Sequence, residues 1–514
     1  MVVVALVSLT NETSRPLRKR LLTRTLLVER RGVPVPFTRS HGMIGMDVLS
    51  FGQLNFGALD LGDVRRARRL AELADLMSRH PGGSLPEKLP DPPDLRAFYR
   101  LMDTDEVTHE VLMGGHTAAT RQAMAKSAEA GHVLLILHDA TELDYTTLRT
   151  LKKDLGQIGQ GTHRGYICHN SFVVQAEPQM ALGLSSQILH HRANVPAKET
   201  SKEHRERKSR ESRLWVTGAK QSGPAPAGSL CVDVSDSLSD TFEYMAFEVK
   251  QGRNFVLRSR ENRKLDGPLE NAEAEYLYPT VRRQRSVATR VVEVQATVKH
   301  KARQAKVNVS FTPVRIAPPS KRQGEYDDCP LDLWAVRVWE PNPPKNAEPL
   351  EWILLTNVPV DSAKAAIERV EWYEARWVIE DFHKGMKTGC GIEIMQFTKI
   401  TRMEPAIAVL SALATTLLKV RDAARQPDAD VRPATDVVAE EYVAVLAAHY
   451  RTRLTQQPTI LQFYMHVARL GGHQNRKQDG FPGWITLWRG WMKLEDMVTG
   501  HRLGRARGKK LGIT

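Results

Sequence analysis

The sequence predicts an α/β protein built on a mixed sheet, with helical segments at both ends, and three observations lead there. Val133-Leu134-Leu135-Ile136-Leu137 is a continuous apolar run, the pattern of a strand buried on both faces. Between residues 254 and 358 the hydrophobic period drops to two, the signature of half-buried strands separated by Pro and Gly turns. From 46 to about 112, and again from 363 onward, the period is that of helices.

Taken in order, residues 1–45 stand apart. A short apolar start precedes Arg15, Arg18, Lys19, Arg20 and Arg24, the reverse of a secretory signal. The expectation is a disordered leader or a mis-called start, with Met43 or Met46 as cleaner openings. Residues 46–125 form a helical unit. Asp63 is its candidate N-cap, Leu70, Leu73 and Leu76 make an apolar face, and Arg65, Arg66, Arg68 and Arg69 make a basic stripe. Such a stripe is either a solvated face or a DNA-end-binding surface. Residues 126–253 begin a sheet. The run at 133–137 ends in His138-Asp139, strands follow over 165–175 and 180–189, and a charged segment at 198–213 reads as a solvated helix. After a Pro/Gly loop, Leu230-Cys231-Val232-Asp233-Val234 runs out at Ser235-Asp236. Residues 254–358 read as an all-β insertion, with strands at 255–258, 289–297, 305–315, 331–340 and 352–355. The core resumes over 359–425, and 426–514 is helical. There Trp484, Trp488 and Trp491 fall at i, i+4, i+7, a stripe for the core or a subunit contact.

Composition bounds the function. With 73 Lys+Arg against 59 Asp+Glu the formal charge is +14, which points to a polyanion: nucleic acid first, an acidic membrane surface second. The leader holds 8 basic and 2 acidic residues, so 8 − 2 = +6 lies there and 14 − 6 = +8 in the body. Cys168, Cys231, Cys329 and Cys390 form no CxxC pair, which excludes a zinc ribbon or a disulfide scaffold. No apolar run approaches the roughly 20 residues of a membrane span.

One segment carries chemistry. Along a helix at about 100° per residue, Tyr373, Arg376, Glu380, Lys384 and Lys387 fall within an arc of roughly 80°. Ala375, Val378, Ile379, Phe382 and Met386 take the opposite side. Alone, this is a solvated face with i, i+4 ion pairs. Asp139 and Asp236 change the balance, since each ends an apolar strand and would be delivered to the mouth of a sheet. Three carboxylates from separate elements suit hard divalent cations, and two such ions about 4 Å apart serve in-line displacement at phosphorus. Asp on a strand, Asp on a strand and Glu on a helix is the ribonuclease-H-like arrangement. Asp144 and Asp233 are rival ligands; Asp236 is preferred because Asp233 lies inside its strand.

Three segments resemble bacterial insertion-sequence transposases of the DDE class, the insertion-sequence-four group and most closely the Tn-five type. They are Leu137-His138-Asp139-Ala140-Thr141-Glu142-Leu143-Asp144-Tyr145, then Val234-Ser235-Asp236-Ser237-Leu238-Ser239-Asp240-Thr241-Phe242-Glu243-Tyr244, then the segment from Tyr373 to Lys387 with its Tyr-Arg-Glu-Lys spacing. The resemblance implies a ribonuclease-H-like mixed-sheet catalytic core interrupted by the β insertion and flanked by helical N- and C-terminal domains. It implies that Asp139, Asp236 and Glu380 bind two Mg2+ ions, Mn2+ being able to substitute, and carry catalysis. Tyr373, Arg376, Lys384 and Lys387 would hold DNA phosphates, Trp352 would stack on a flipped base, and Arg258 would contact DNA. The helix bearing Arg65, Arg66, Arg68 and Arg69 would bind transposon ends, and the C-terminal helices would dimerise. The implied partners are double-stranded DNA, as terminal repeats and target, and a second copy of the chain in a synaptic complex. The implied location is the bacterial cytoplasm, at the nucleoid, with no membrane partner. Two positions depart from the pattern: Ser237 stands where the family commonly has Arg, and Asp381 where it has Glu. A non-catalytic DNA-binding relative and a simple ribonuclease-H-like nuclease are the competing readings.

Overall fold

The structure, a computed structural model, describes residues 49–192, 209–267, 276–294, 303–319, 329–345, 349–451, 454–476 and 479–511, together with 5–6, 200, 203 and 207. Apart from residues 5–6, the leader lies outside the described residues, as does half of the charged segment at 198–213.

Among the described residues the strands are β1 (Ala5–Leu6), β2 (Leu134–Asp144), β3 (Gly156–Gln157), β4 (Arg164–Gln175), β5 (Met180–His190), β6 (Cys231–Ser235), β7 (Asn254–Arg258), β8 (Ala288–Val294), β9 (Arg303–Ile316), β10 (Leu331–Trp339) and β11 (Glu351–Thr356). They form one mixed sheet in the order β1-β8-β9-β10-β11-β7-β6-β2-β4-β3, with β5 also on β4. Among the described strands only β2–β6 and β6–β7 pair in parallel. The strands of 254–358 thus extend the core sheet through β7, which pairs with β6 on one side and β11 on the other. That block also contains a short helix, Leu277–Arg282, which the period-two reading passed over.

The buried strands are covered by helices, which is why β4 is buried almost throughout. His109–Glu129 and Ile400–Ala423 pack over β5. Leu214–Ser222 packs on β4 and β5 and lies very close at Gly218, where a Cβ would sit 2.6 Å from His169 Cε1 and 2.8 Å from Ser171 Oγ. At the N-terminal end, Val64–Arg79 begins at the expected cap, with the Asp63 carboxylate accepting from the Arg65 N–H, and buries Leu70, Leu73 and Met77.

Among the described residues one helix, Ile400–Ala423, is long and apolar enough to cross a membrane, contrary to the expectation that no run approaches that length. It is a core helix: 72% of its most apolar window is buried inside the protein, and its Arg421 is held by Asp381 and Asp422, both at 2.6 Å. The tryptophan stripe is also internal. Trp484 and Trp488 stack with centroids 5.8 Å apart, and Trp491 stacks on Tyr442 at 5.5 Å.

Candidate active site

The parallel pairing of β2 with β6 ends at His138↔Ser235. Asp139 and Asp236 are the next residues on each chain, so register alone sets them side by side. The sequence places a strand end at Asp139, but β2 continues to Asp144, paired to β4 throughout. What stops at Asp139 is β6, and the freed flank of β2 opens the site. Asp236 then caps the turn Ser237–Ser239, its Oδ1 accepting from the Leu238 N–H at 3.0 Å.

The third carboxylate comes from a helix that is less regular than its periodicity suggests. Ala363–Ala375 and Trp377–Lys384 meet at Arg376, and Gly385–Gly389 forms a π turn that shifts the phase of Lys387. The apolar side is buried as expected: Val378, Ile379, Phe382 and Met386 join the main core. Arg376 lies between the acids, with Nη1 donating to Asp139 Oδ2 at 2.9 Å and Nη2 to Glu380 Oε1 at 3.3 Å. Burial pushes the Asp236 carboxyl up to about 6, and the nearby negative charge of Asp139 adds to the effect. Burial also raises Asp139 and Glu380, with Arg376 opposing the rise in both. Among the described residues no group of three or more His, Cys, Asp or Glu side chains is already spaced to hold a metal ion. In donor chemistry the cluster nevertheless suits a hard divalent cation: three oxygen donors, partly desolvated, repelling one another, with one guanidinium among them.

The rival acids are committed elsewhere. Asp233 is buried between His138 Nε2 at 2.6 Å and Arg253 Nη2 at 2.7 Å, and Ser171 Oγ meets His138 Nδ1 at 3.0 Å. This Ser-His-Asp line is fully enclosed, so it braces β2, β4 and β6 and offers no accessible nucleophile. Asp144 binds Thr146 and His163. Asp381 anchors the motif helix to Arg421.

A second polar line, which sequence reasoning missed, runs behind the site. Asn170, the β4 partner of Asp139, meets His383 Nε2 at 3.1 Å and accepts from Gln187 Nε2 at 2.8 Å. Gln187 also meets His109 at 3.1 Å and Ser411 at 3.0 Å. It ties the Glu380 helix to the strand opposite Asp139 and to helix His109–Glu129. The available signal was His383, three residues after Glu380 within the same motif.

The remaining expected residues divide. Tyr373 and Trp352 are both core, 3% and 2% exposed, with rings 6.1 Å apart. Trp352 points under helix Ala363–Ala375, so it offers no face to a flipped base here, and its indole N–H lacks a partner among the described residues. Arg258 acts on the Tyr373 phenol and on Asp236, and lines a cleft with Ser237. Lys384 is 3.5 Å from Asp381. Lys387 pairs with Glu393 at 3.3 Å and donates to the Glu142 carbonyl. In the N-terminal helix Arg65 pairs with Asp63, Arg66 with Glu106, and Arg69 with Glu72 and Asp94. Arg68 is exposed and has no such partner among the described residues.

Residues 50–107 match the family model for a transposase DNA-binding domain. The chain therefore carries a transposase DNA-binding unit, formed by the helices around the Arg65–Arg69 stripe.

Proposed function

We propose that the chain is a cut-and-paste DNA transposase of the DDE class, similar to the insertion-sequence-four group and its Tn-five type, with a ribonuclease-H-like core. The observation that carries this reading is the meeting of Asp139, Asp236 and Glu380 around Arg376, in a chain whose residues 50–107 match a transposase DNA-binding unit.

Asp139, Asp236 and Glu380 would hold two Mg2+ ions, with Mn2+ able to substitute. When bound, these ions supply activation of a water or 3′-hydroxyl and stabilisation of the leaving oxygen at phosphorus. Arg376 neutralises Asp139 and Glu380, and its guanidinium would be available to a phosphate oxygen if cations took its place between the acids. Lys384 lies one turn beyond Glu380 and adds a cation along the same DNA strand. Asn170 and His383 fix the helix so that Glu380 faces the strand ends. The N-terminal unit binds terminal repeats of double-stranded DNA. A homodimer brings two ends together, cuts them through hairpin ends and joins the 3′-hydroxyls to target DNA, in the bacterial cytoplasm.

The test uses purified protein, a DNA fragment bearing its own element's ends, and Mg2+. Hairpin-ended excision products that vanish in Glu380→Ala are expected. One observation favours a second reading, a DNA-binding relative without catalysis: the acids are bridged by Arg376 and not set at metal-ligand spacing. Specific binding with no cleavage would decide for it, and nicks without hairpins would leave a simple nuclease.

A further inference from the structure

We propose that the apolar cavity where the DNA-binding unit, the core and the C-terminal helices meet is a binding site for a small, flat aromatic carboxylate. None of its lining residues belongs to the carboxylate cluster, so the site stands apart from the phosphoryl-transfer reading.

The cavity has a volume of about 230 Å³. Three units wall it. Ser78, Arg79 and Pro81 come from the end of helix Val64–Arg79, Leu417 and Val420 from Ile400–Ala423, and the tryptophan stripe from Trp484–Leu511. An apolar cavity of about 150 Å³ takes benzene, and pockets for drug-sized ligands begin near roughly 300 Å³, so this one suits a two-ring molecule. The wall carries two stacked pairs, Trp484 on Trp488 with 17° between planes and Tyr442 on Trp491 with 14°. Such a wall favours a flat aromatic guest, which can meet the rings by offset stacking or edge to face. The wall is also braced from behind: a Cβ at Gly385 or Gly389 of the π turn would sit 3.5 Å from Trp484 Cζ2.

The polar groups decide the other end of the guest. Three hydroxyls line the cavity, and each is committed. Ser78 Oγ donates to the Asp75 carbonyl at 2.8 Å, and Thr416 Oγ1 to the Leu413 carbonyl at 2.7 Å. The Tyr442 hydroxyl lies 2.9 Å from both the Arg79 carbonyl and Glu495 Oε1. Glu495 itself is bound to His80 at 3.2 Å and does not line the cavity. The side-chain groups that remain are donors. The indole N–H groups of Trp484 and Trp491 are buried with no acceptor among the described residues, which costs stability until an acceptor reaches them. Arg79 is the one charged lining residue, exposed at the rim and without an acidic partner among the described residues. A wall of donors with one guanidinium calls for a guest that only accepts and carries negative charge, and the planar fork of Arg79 matches a carboxylate.

The experiment titrates the full chain with naphthoate by isothermal calorimetry, with naphthamide as the neutral guest of the same shape. Saturable binding of naphthoate at sub-millimolar concentration is expected, with naphthamide weaker. Arg79→Gln, on an exposed side chain where folding is not at risk, is expected to weaken naphthoate by about ten-fold and to leave naphthamide unchanged. Val437→Phe, which fills the cavity from a half-buried lining position, is expected to abolish binding of both. Wild-type affinity for naphthoate in either variant would overturn the proposal. So would equal affinity of the wild type for naphthoate and naphthamide, or no saturable binding of naphthoate in the millimolar range.

Discussion

Arg376 and Asp236 respond in opposite ways to the same crowding of charge. Arg376 is 8% exposed and Asp139 15% exposed, so their ion pair is largely out of water. Removing one member of a buried pair strands the other, at a cost of about 3–5 kcal/mol. Arg376→Ala is therefore expected to lower unfolding free energy by about 3 kcal/mol at pH 7, read by urea titration. Asp236 has no ion pair of that kind among the described residues, and burial pushes its carboxyl up to about 6 from the ordinary 3.8. The folded state then holds the proton more tightly than the unfolded chain. This contribution is fully present below pH 3.8 and is lost as pH rises through about 6. Asp236→Asn removes that loss, so it is expected to be more stable than wild type at pH 7 in EDTA. The gain should shrink on titration from pH 6 toward 4. Equal stability at every pH would show that the carboxylates are not in conflict.

Strand register does more to build the site than any single contact, and it also explains what the sequence could show. The apolar run ending at Asp139 and the run ending at Asp236 were visible as strings, and so was the apolar face through Val378, Ile379, Phe382 and Met386. Local periodicity does not encode which strand stops. β2 continues past Asp139, because β4 still pairs with it after β6 has ended. The π turn at Gly385–Gly389 and the burial of Trp352 are set by packing against other elements, so no local pattern announced them. The same holds for the buried histidines that join the DNA-binding unit to the sheet. His116 donates from Nδ1 to Asn55 Oδ1 at 2.7 Å and accepts at Nε2 from the Leu184 N–H at 3.1 Å. Burial pushes its pKa to about 3. A depressed histidine stabilises fully above its unfolded value near 6.5 and loses that contribution as pH falls toward 3. Each such group adds about 1.4 kcal/mol per pH unit to the acid slope. His116→Gln, which can also donate and accept, is expected to flatten the slope below pH 6.5 by about that amount. An unchanged slope in urea titrations across pH 4–7 would place the acid sensitivity elsewhere.

At the scale of the whole molecule the charge of +14 overstates what is available to DNA. Many cations are tied to acids on their own surface, and the N-terminal helix shows how strongly. Of the four arginines in its stripe, Arg65 holds Asp63 at 2.7 Å, Arg66 holds Glu106 at 3.0 Å, and Arg69 holds Glu72 at 3.1 Å as well as Asp94. Composition counts all four alike, whereas the fold leaves Arg68 as the one without an acidic partner among the described residues. A phosphate meeting Arg68 displaces only counterions and water. A phosphate meeting Arg65 or Arg66 must first compete with a carboxylate. Each phosphate neutralised contributes about 0.9 to the slope of log affinity against log salt. Arg68→Ala is therefore expected to weaken duplex binding and to lower that slope by about one, in a titration between low and physiological salt. Asp63→Asn frees Arg65 and is expected to act in the opposite direction, strengthening binding at low salt. If Arg68→Ala leaves the slope unchanged while Arg65→Ala lowers it, the helix presents a different face to DNA, and its ion pairs open on contact.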